Sequence, residues 1–381
     1  MSSSSTVTLF KLPYLCVECV LSNVGGSDLI CFSLLSKKCH RLVKAANTSV
    51  MQIDTYVAKE LSKVDIVEQG GNVCGEMIFG FDESQDESES RILFKRSIND
   101  ELTGSSELLN HYQFISGDLQ KSFESAVHYF MDLFKCGLGQ VNVFTDAPRS
   151  RREFLVGYKT CDQQMIVGET LIENDELKNV VENLQVKTRM LLGAPVDPNF
   201  HCSPDHFKAE LLRFDTGSCG WITRDFLLNL NTIDIHFGGC DLSKVNASDF
   251  MTMVDRWYYS GRPFKSLMMT WLTPRGDVDI SKYNPVEWDE NRRSRYYKVD
   301  SKNAIDLGRE RDIQRTDRNW ATLGINNPSV LIANSQEAIN LSKGHDIQRT
   351  DGSWATIAPS VLMFCVWSDM FPNLDGVTIL G

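Results

Sequence analysis

"WITRDFLLNLNTIDIHFGGCDLSKVNASDFMTMVDRWYYSGRPFKSLMMTWL" (Trp221–Leu272) contains two helix patterns, each followed by a short apolar strand pattern. Thr223 is a favourable N-cap for the first helix, and Gly261 is a typical stop for the second. The strand patterns are "NTIDIHFGG" and "PFKSLMMTWL". Parallel strands need a long crossover, usually a helix. The stretch therefore predicts an α/β fold with parallel strands.

The same alternation continues towards the N-terminus, as far as about residue 118. The helix pattern "DLQKSFESAVHYFMDLFKCG" places Phe123, Val127, Phe130, Met131 and Phe134 on one side. Predicted strands are centred near Val143, Lys187, Leu212, Ile233 and Met268. Repeated units of this kind bury their apolar faces by stacking side by side.

For residues 118–381 we favour an open, leucine-rich-repeat-like curved sheet, with one face left for solvent or a partner, over a closed barrel. A doubly wound domain is the second alternative. No Gly-x-Gly-x-x-Gly follows any of the predicted strands, which weighs against it.

The N-terminal stretch "LFKLPYLCVECVLSNVGGSDLICFSLLSKKCHRLV" (Leu9–Val43) predicts three short helices within a domain at residues 9–46. Pro13 suits a first helical turn, and Ser36 is a natural N-cap for the third helix. One apolar stripe recurs at helical spacing: Leu15, Cys16, Cys19, Val20 and Val24. A unit below about 40 residues is marginal alone. Another surface must therefore cover part of it.

A zinc site is an alternative interpretation of this segment, because Cys16-x-x-Cys19, Cys31 and Cys39-His40 have superficially suitable residue types. The first two cysteines fall on an apolar helical stripe rather than on a tight turn. We therefore interpret these thiols as small apolar side chains. We expect no metal site and no cofactor.

Leu12-Pro13-x-Leu15, Val20-Leu21, Asp28-Leu29 and "SLLSKKCHRLV" resemble the F-box. The resemblance implies that this segment binds the adaptor subunit of SCF-type cullin–RING ubiquitin ligases, and that its uncovered surface is what the adaptor covers. The implied adaptor-binding residues are Leu12, Pro13, Leu15, Val20, Leu29, Ile30, Leu34 and Leu42.

The stretch Trp221–Leu272 is similar to the F-box-associated domain, type 2, of nematode F-box proteins. Trp257 late in a helix, "RTDGSWAT" (Arg349–Thr356) and "FCVW" (Phe364–Trp367) carry this resemblance. It implies that residues 118–381 form the part that binds a protein substrate.

Between these domains, residues 47–117 form a connecting region with mixed strand and turn patterns and an acidic loop at residues 82–91. Near the C-terminus, "DIQRTDRNWAT" (Asp312–Thr322) recurs as "DIQRTDGSWAT" (Asp346–Thr356), within an internal duplication of 301–331 and 335–362. Only the second copy has Gly352, which suits a tight hairpin. We expect that copy to occupy the native β-hairpin position, with the first as an added hairpin or a poorly packed insert.

The net charge of −11 and the pI of about 5.2 disfavour general nucleic-acid binding. No stretch approaches the ~18 uninterrupted apolar residues of a membrane span. The first eleven residues lack a secretory signal pattern. We therefore expect the eleven cysteines to be reduced, in the cytoplasm, the nucleus or both.

No catalytic motif is evident, and the adjacent pair His201-Cys202 is poorly placed for a nucleophile and its base. We expect a non-catalytic subunit whose substrate is unknown. A scaffold without a link to ubiquitin is an alternative, and an α/β enzyme is another. The aromatic candidates for substrate contact are Trp257, Tyr258, Tyr259, Trp271 and Trp288, although core packing is the more usual role for Trp257 and Trp271.

Overall fold

In the computed structural model, the mixed α/β chain divides into two units, Met1–Met165 and Ile166–Gly381. The described residues are 9–80, 91–96, 110–115, 119–215, 217–238, 242–260, 265–270, 281–283, 286–287, 291, 294, 296–298, 303–306, 311–314, 320–323, 345–348, 354–357, 361–367, 373, 375 and 378–380. The acidic loop at 82–91 lies almost wholly outside them.

Unit 1 begins with a helical segment. A single 3-10 turn, Leu9–Lys11, precedes α1 (Tyr14–Leu21), α2 (Gly26–Leu34) and α3 (Lys37–Ala45). Three short helices were predicted here, and this is confirmed. The Ser36 side chain caps α3 as expected, because its hydroxyl accepts a hydrogen bond from the Cys39 N–H at 3.1 Å.

The sheet of unit 1 contains β1 (Val50–Val57), β2 (Leu61–Glu68), β3 (Val73–Gly80), β4 (Arg91–Arg96), β5 (Asn110–Ile115) and β6 (Gly137–Phe144). Their pairings give the order β4-β5-β3-β2-β1-β6, with β3–β5 and β1–β6 parallel and the other pairs antiparallel. The β2–β3 turn uses Gly70 and Gly71, whose φ values of 97° and 84° favour glycine.

Helix α4 (Leu119–Phe134) packs on β1, β2 and β3. Its buried side chains include Phe123, Val127, Phe130 and Phe134, as the predicted apolar face required. Phe123 meets Phe79 of β3 edge to face, with the ring centroids 5.5 Å apart. Met131 is only half-buried, and Leu133 is buried in addition.

Further along the chain come α5 (Arg149–Phe154), a 3-10 turn at Leu155–Tyr158 and β7 (Thr160–Val167). Unit 2 continues with α6 (Asn174–Asn183), β8 (Gln185–Gly193), a 3-10 turn at Pro204–His206, β9 (Leu211–Phe214), α7 (Arg224–Asn229), β10 (Asp234–Phe237), α8 (Ala247–Ser260) and β11 (Ser266–Thr270).

Strands β8, β9, β10 and β11 pair in that order and are all parallel. Met190, Leu212, Ile235 and Leu267 lie side by side across them, and all four are buried. The predicted alternation is therefore present from β8 to β11, with a 3-10 turn in place of the helix predicted between β8 and β9. The first predicted strand, near Val143, is β6 of unit 1 and pairs with β1. No pairing among the described strands closes this sheet into a barrel.

The C-terminal part of unit 2 is described mainly as strands. After a 3-10 turn at Ser281–Tyr283, they are β12 (Val286–Glu287), β13 (Tyr296–Lys298), β14 (Asn303–Asp306), β15 (Arg311–Gln314), β16 (Trp320–Leu323), β17 (His345–Gln348), β18 (Trp354–Ile357), β19 (Val361–Trp367) and β20 (Thr378–Leu380). Strand β19 runs antiparallel to β11. The pairs β15–β16 and β17–β18 are antiparallel, so both copies of the duplication contain a paired hairpin.

The cysteines depart from expectation at one position. Eight described cysteines are free thiols, but Cys219 is disulfide-bonded. The prediction that all thiols are reduced is therefore wrong at Cys219. Within the described part of the chain, no helix combines the length and the apolarity needed to span a membrane.

Gly26 lies at the start of α2 where the helix meets the sheet. A Cβ added there would overlap the Cys74 Sγ and approach the Ile66 and Val50 Cγ2 atoms to 3.3 Å. We expect Gly26→Val to lower the free energy of unfolding of unit 1 by about 1–3 kcal/mol, because overpacking a filled interior forces neighbours to move. Amide hydrogen exchange in α2, β2 and β3 measures this change.

The adjacent Gly25 is the matched control, because a Cβ there would meet nothing within 4 Å and its φ of −62° suits any residue. Gly25→Ser keeps a favourable N-cap for α2 and should change the same free energy by less than about 0.5 kcal/mol. Equal destabilisation by both substitutions would contradict the close packing of α2 on the sheet.

Candidate functional site

The helical segment at residues 9–48 exposes six large apolar side chains. They are Phe10, Tyr14, Leu15, Val20, Leu34 and Leu35, and we call them the outer apolar surface. Leu15 and Leu35 are 75% and 74% exposed, and Leu34 is 59% exposed. Single exposed apolar residues are ordinary, but six within so short a segment are typical of an interaction surface.

The eight residues predicted to bind the adaptor differ in their exposure. Leu15, Val20 and Leu34 belong to the outer apolar surface, and Pro13 is exposed. Leu12 and Leu42 are half-buried. Leu29 and Ile30 are each only 1% exposed, so they are not available to another chain in this structure. The three other members of the outer apolar surface, Phe10, Tyr14 and Leu35, were not among the predicted adaptor-binding residues.

The inner side of α1, α2 and α3 contains the buried residues Val17, Leu21, Leu29, Ile30 and Val43. Helix α2 packs on β2 and β3, with Gly26 closest to the sheet. The apolar stripe predicted for α1 therefore lies on the side opposite these buried residues. Its members Leu15, Cys16, Cys19 and Val20 are exposed.

Polar contacts hold the segment on α4. The Tyr129 hydroxyl lies 2.6 Å from the Ser33 Oγ and 3.3 Å from the His40 Nδ1, which joins α2 and α3 to one residue. The Lys44 ammonium pairs with the Asp132 carboxylate, and this hydrogen bond holds the pKa of Asp132 below its usual value. The segment is thus fixed on unit 1 by its inner side, and its outer apolar surface stays open.

The segment is basic in an acidic chain. Residues 9–48 contain five Lys or Arg and two Asp or Glu, whereas the whole chain contains 39 Lys or Arg and 50 Asp or Glu. Lys11, Lys37, Lys38 and Arg41 are exposed. Lys38 also covers the Phe10 ring, with its Nζ 4.6 Å from the ring centroid. A positive rim around an apolar centre favours a partner with negative charge at its edge.

A second candidate lies in unit 2, where Asp234, His236 and Ser266 meet on β10 and β11. The His236 Nε2 is 2.9 Å from both the Ser266 Oγ and the Asp234 Oδ1, and Ser266 also donates to Asp234. Burial alone would raise the pKa of Asp234, but hydrogen bonds from His236 and Ser266 and the nearby Lys265 charge hold it below its usual value.

This trio does not have the arrangement of a catalytic relay. In a Ser-His-Asp relay the two imidazole nitrogens contact different partners, whereas here one nitrogen contacts both. Asp234 and Ser266 are also the first residues of their strands, while ligand sites of open α/β sheets lie at the carboxyl ends. The trio therefore serves as an internal polar contact between β10 and β11.

The two other sites considered from the sequence, the His201-Cys202 pair and a metal site, are also unsupported by the geometry. Burial raises the pKa of the Cys202 thiol to about 12, so Cys202 is a neutral thiol and a poor nucleophile near pH 7. Among the residues that the structure describes, no group of three or more His, Cys, Asp or Glu is arranged to hold a metal ion.

The aromatic residues predicted for substrate contact differ in their exposure. Trp257 is 1% exposed and Tyr258 is buried, so both are core residues. Tyr259 is 62% exposed and remains available at the surface of α8. Trp271 and Trp288 lie outside the described residues.

Residues 9–48 match the family model of the F-box domain. Neither the curated proteins nor the solved structures contain a match to this chain. The matched range begins with the 3-10 turn that carries Phe10 and ends just after α3, so it includes all of the outer apolar surface. The N-terminal helical segment of this chain is therefore an F-box domain.

Proposed function

We propose that the chain is a substrate-recruiting, non-catalytic subunit of an SCF-type cullin–RING ubiquitin ligase. F-box domains in general bind the adaptor subunit of these ligases. The observation that supports this role best is the two-sided F-box. Its inner side is bound to the sheet of the same chain, while its outer apolar surface is open.

The proposed adaptor-binding surface consists of the open part of the F-box. It includes Leu12, Pro13, Leu15, Val20, Leu34 and Leu42, to which we add Phe10, Tyr14 and Leu35. Leu29 and Ile30 are left out, because they are buried under α1–α3 and contribute to folding instead. Leu15, Leu34 and Leu35 expose the most apolar surface and are the expected anchors.

Residues 118–381, most of which form unit 2, would bind the substrate. We propose that residues 118–381 belong to the nematode-type F-box-associated domain and that β8–β11 form a leucine-rich-repeat-like sheet. The four parallel strands, with α7 between β9 and β10 and α8 between β10 and β11, support this proposal. Holding a substrate on the same chain as the F-box raises its local concentration near the ubiquitin-charged enzyme of the ligase, without any bond chemistry by this chain. The expected compartment is the cytoplasm, the nucleus or both.

A scaffold without a link to ubiquitin remains the second candidate, since an open sheet face can serve either role. An enzyme has less support, because the Asp234 trio lacks relay geometry. The F-box match over residues 9–48 favours the ligase over the scaffold, because F-box domains in general bind the adaptor subunit of these ligases.

The full chain and a recombinant adaptor subunit of an SCF-type ligase should form a stable complex, measured by isothermal titration calorimetry. The double variant Leu12→Ala/Pro13→Ala should weaken this complex by about 30-fold, if the pair contributes about 2 kcal/mol as an interface anchor.

Met51→Ala is the matched control, because Met51 is 59% exposed on β1 outside the F-box. It should leave the dissociation constant unchanged. Failure of the unsubstituted chain to bind any adaptor would remove the ligase proposal and leave the scaffold.

A further inference from the structure

The sheet of unit 1 has a charged face on the side opposite α4. Phe79 of β3 contacts α4, and side chains alternate between the two faces of a strand, so Glu76 points to the other side. Asp65 of β2 lies directly opposite Glu76, and Asp54 of β1 lies directly opposite Asp65. Directly opposed residues lie on the same face of a sheet. Asp54 and Asp65, which we call the carboxylate pair, are therefore neighbours on this face.

The Asp54 carboxylate is held in place through one of its two oxygens. Its Oδ1 accepts hydrogen bonds from the Gln140 N–H at 2.7 Å and from the Gln52 Nε2 at 2.9 Å. Gln140 reaches it because the register of β1 and β6 shifts between Ile53 and Thr55, an irregularity of the kind that re-aims side chains. The Asp54 Oδ2 makes no hydrogen bond or ion pair in the described part of the chain.

Asp65 also has an oxygen without a partner. It is only 4% exposed, and its buried Oδ1 has no hydrogen-bond partner among the described residues. Its Oδ2 lies 2.9 Å from the Lys63 Nζ, which is also 2.8 Å from the Glu76 Oε1. One ammonium is thus shared by two carboxylates, and it makes no ion pair with Asp54.

The pair has less positive charge around it than its burial requires. Burial raises the pKa of Asp54 and of Asp65, although hydrogen bonds from Gln140 and Lys63 act in the opposite direction. Directly opposed like charges also destabilise two paired strands. An additional cation beside the two unpartnered oxygens would remove both costs.

We propose that Asp54 and Asp65 form a binding site for the guanidinium group of an arginine in a partner polypeptide. A guanidinium is planar, always charged and carries five donors, so it can bond to two carboxylates at once. The Cβ atoms of directly opposed residues are about 4.5–5.5 Å apart, which suits one such group. Asp54 is half-buried, so the site opens to solvent on its side.

Other occupants fit less well. Among the described residues, no group of three or more His, Cys, Asp or Glu is arranged to hold a metal ion. An acidic or apolar segment would add to the uncompensated negative charge or bury it further. The site lies in residues 47–117, outside the part proposed to bind substrate, so it does not depend on the ligase role.

A peptide titration of the full chain tests the proposal. The probe is acetyl-Gly-Arg-Gly-Arg-Gly-amide, at an ionic strength of about 0.15 M, where charges more than about 8 Å apart are largely screened. The NMR shift of the Gln140 amide is the readout, because this N–H donates to Asp54. It should move in a saturable way. The same peptide with citrulline in place of arginine keeps the shape without the charge and should leave it unchanged.

Asp54→Asn should weaken probe binding by about 10- to 100-fold, because a hydrogen bond between two charged groups is lost. The amide oxygen of the new side chain can still accept from Gln140, so β1 should stay in place. Glu60→Gln is the matched control, because it removes the same charge from an exposed residue between β1 and β2. It should change the dissociation constant by less than about twofold.

Gly139→Ala tests position separately from charge. A Cβ at Gly139 would overlap the side chains of Gln52 and Asp54, so the carboxylate must move while the net charge stays the same. Binding should weaken by about fivefold or more, since hydrogen bonds weaken steeply outside their geometry. Thermal unfolding checks that this variant and Asp54→Asn remain folded.

Four results would overturn the proposal. They are an unmoved Gln140 amide at saturating probe, equal binding of the citrulline peptide, equal weakening by Asp54→Asn and Glu60→Gln, and displacement of the probe by Mg²⁺ or Ca²⁺ at concentrations that leave the Glu60→Gln and Asp54→Asn proteins alike. The third result would show only a general attraction of cations to a chain with a net charge of −11.

Discussion

Leu15→Asp should weaken binding of the adaptor subunit by about 30- to 1,000-fold, equivalent to about 2–4 kcal/mol, while the protein remains folded. Leu15 is 75% exposed on α1, so a carboxylate is well hydrated in the free chain. At the centre of an apolar interface the same carboxylate would lose that hydration without gaining a partner. Titration calorimetry measures the dissociation constant, and thermal unfolding checks that the melting temperature changes by less than about 2 °C.

Leu171→Asp is the control for this substitution, because Leu171 is 55% exposed in unit 2. It introduces the same charge at a comparably exposed leucine and should leave adaptor binding unchanged. If both variants bound equally well, the adaptor would not use α1. If both lost binding equally, the cause would be general charge repulsion rather than a specific contact.

The sequence predicted the F-box better than it predicted which side of the F-box is open. Helix α2 is apolar nearly all round, so periodicity alone could not separate Leu29 and Ile30 from Leu34. That separation depends on α2 packing against β2 and β3, a long-range contact that local spacing does not encode. The same all-round apolar character of α2 also pointed to Leu35 at its C-terminal end, which was not among the predicted adaptor-binding residues.

The alternation of helices and strands in unit 2 was predictable, because capped helices and short apolar runs repeat along the chain. The antiparallel β1–β2–β3 arrangement was not predicted. Its signal was present in Gly70-Gly71 between two apolar runs, a typical hairpin turn. Asp65 obscured this signal, because its buried carboxylate interrupts the apolar pattern of β2. The Lys63 Nζ, 2.9 Å from the Asp65 Oδ2, stabilises that carboxylate.

Trp221→Ala should have the largest effect on folding, lowering the free energy of unfolding of unit 2 by about 3–5 kcal/mol. Trp221 is 2% exposed and lies among Phe226, Phe200 and Phe207, with ring centroids at 4.6, 5.0 and 6.1 Å. Its indole N–H donates to the Ser218 carbonyl at 2.7 Å. Truncation would leave a cavity between these rings and an unpaired carbonyl. Amide hydrogen exchange in β9 and β10 measures the loss.

Adaptor binding by the Trp221→Ala protein should stay within about twofold of the unsubstituted chain, because the described contacts of Trp221 and those of the F-box share no residue and sites without shared partners act independently. The described contacts that fix the F-box, those of Gly26, Tyr129 and Asp132, all lie in unit 1. Tyr259→Ala is the control, since this exposed aromatic residue of α8 should cost less than about 0.5 kcal/mol. A parallel loss of adaptor binding and unit 2 stability would show that the F-box depends on unit 2, and that recruitment and substrate capture are not separable in this chain.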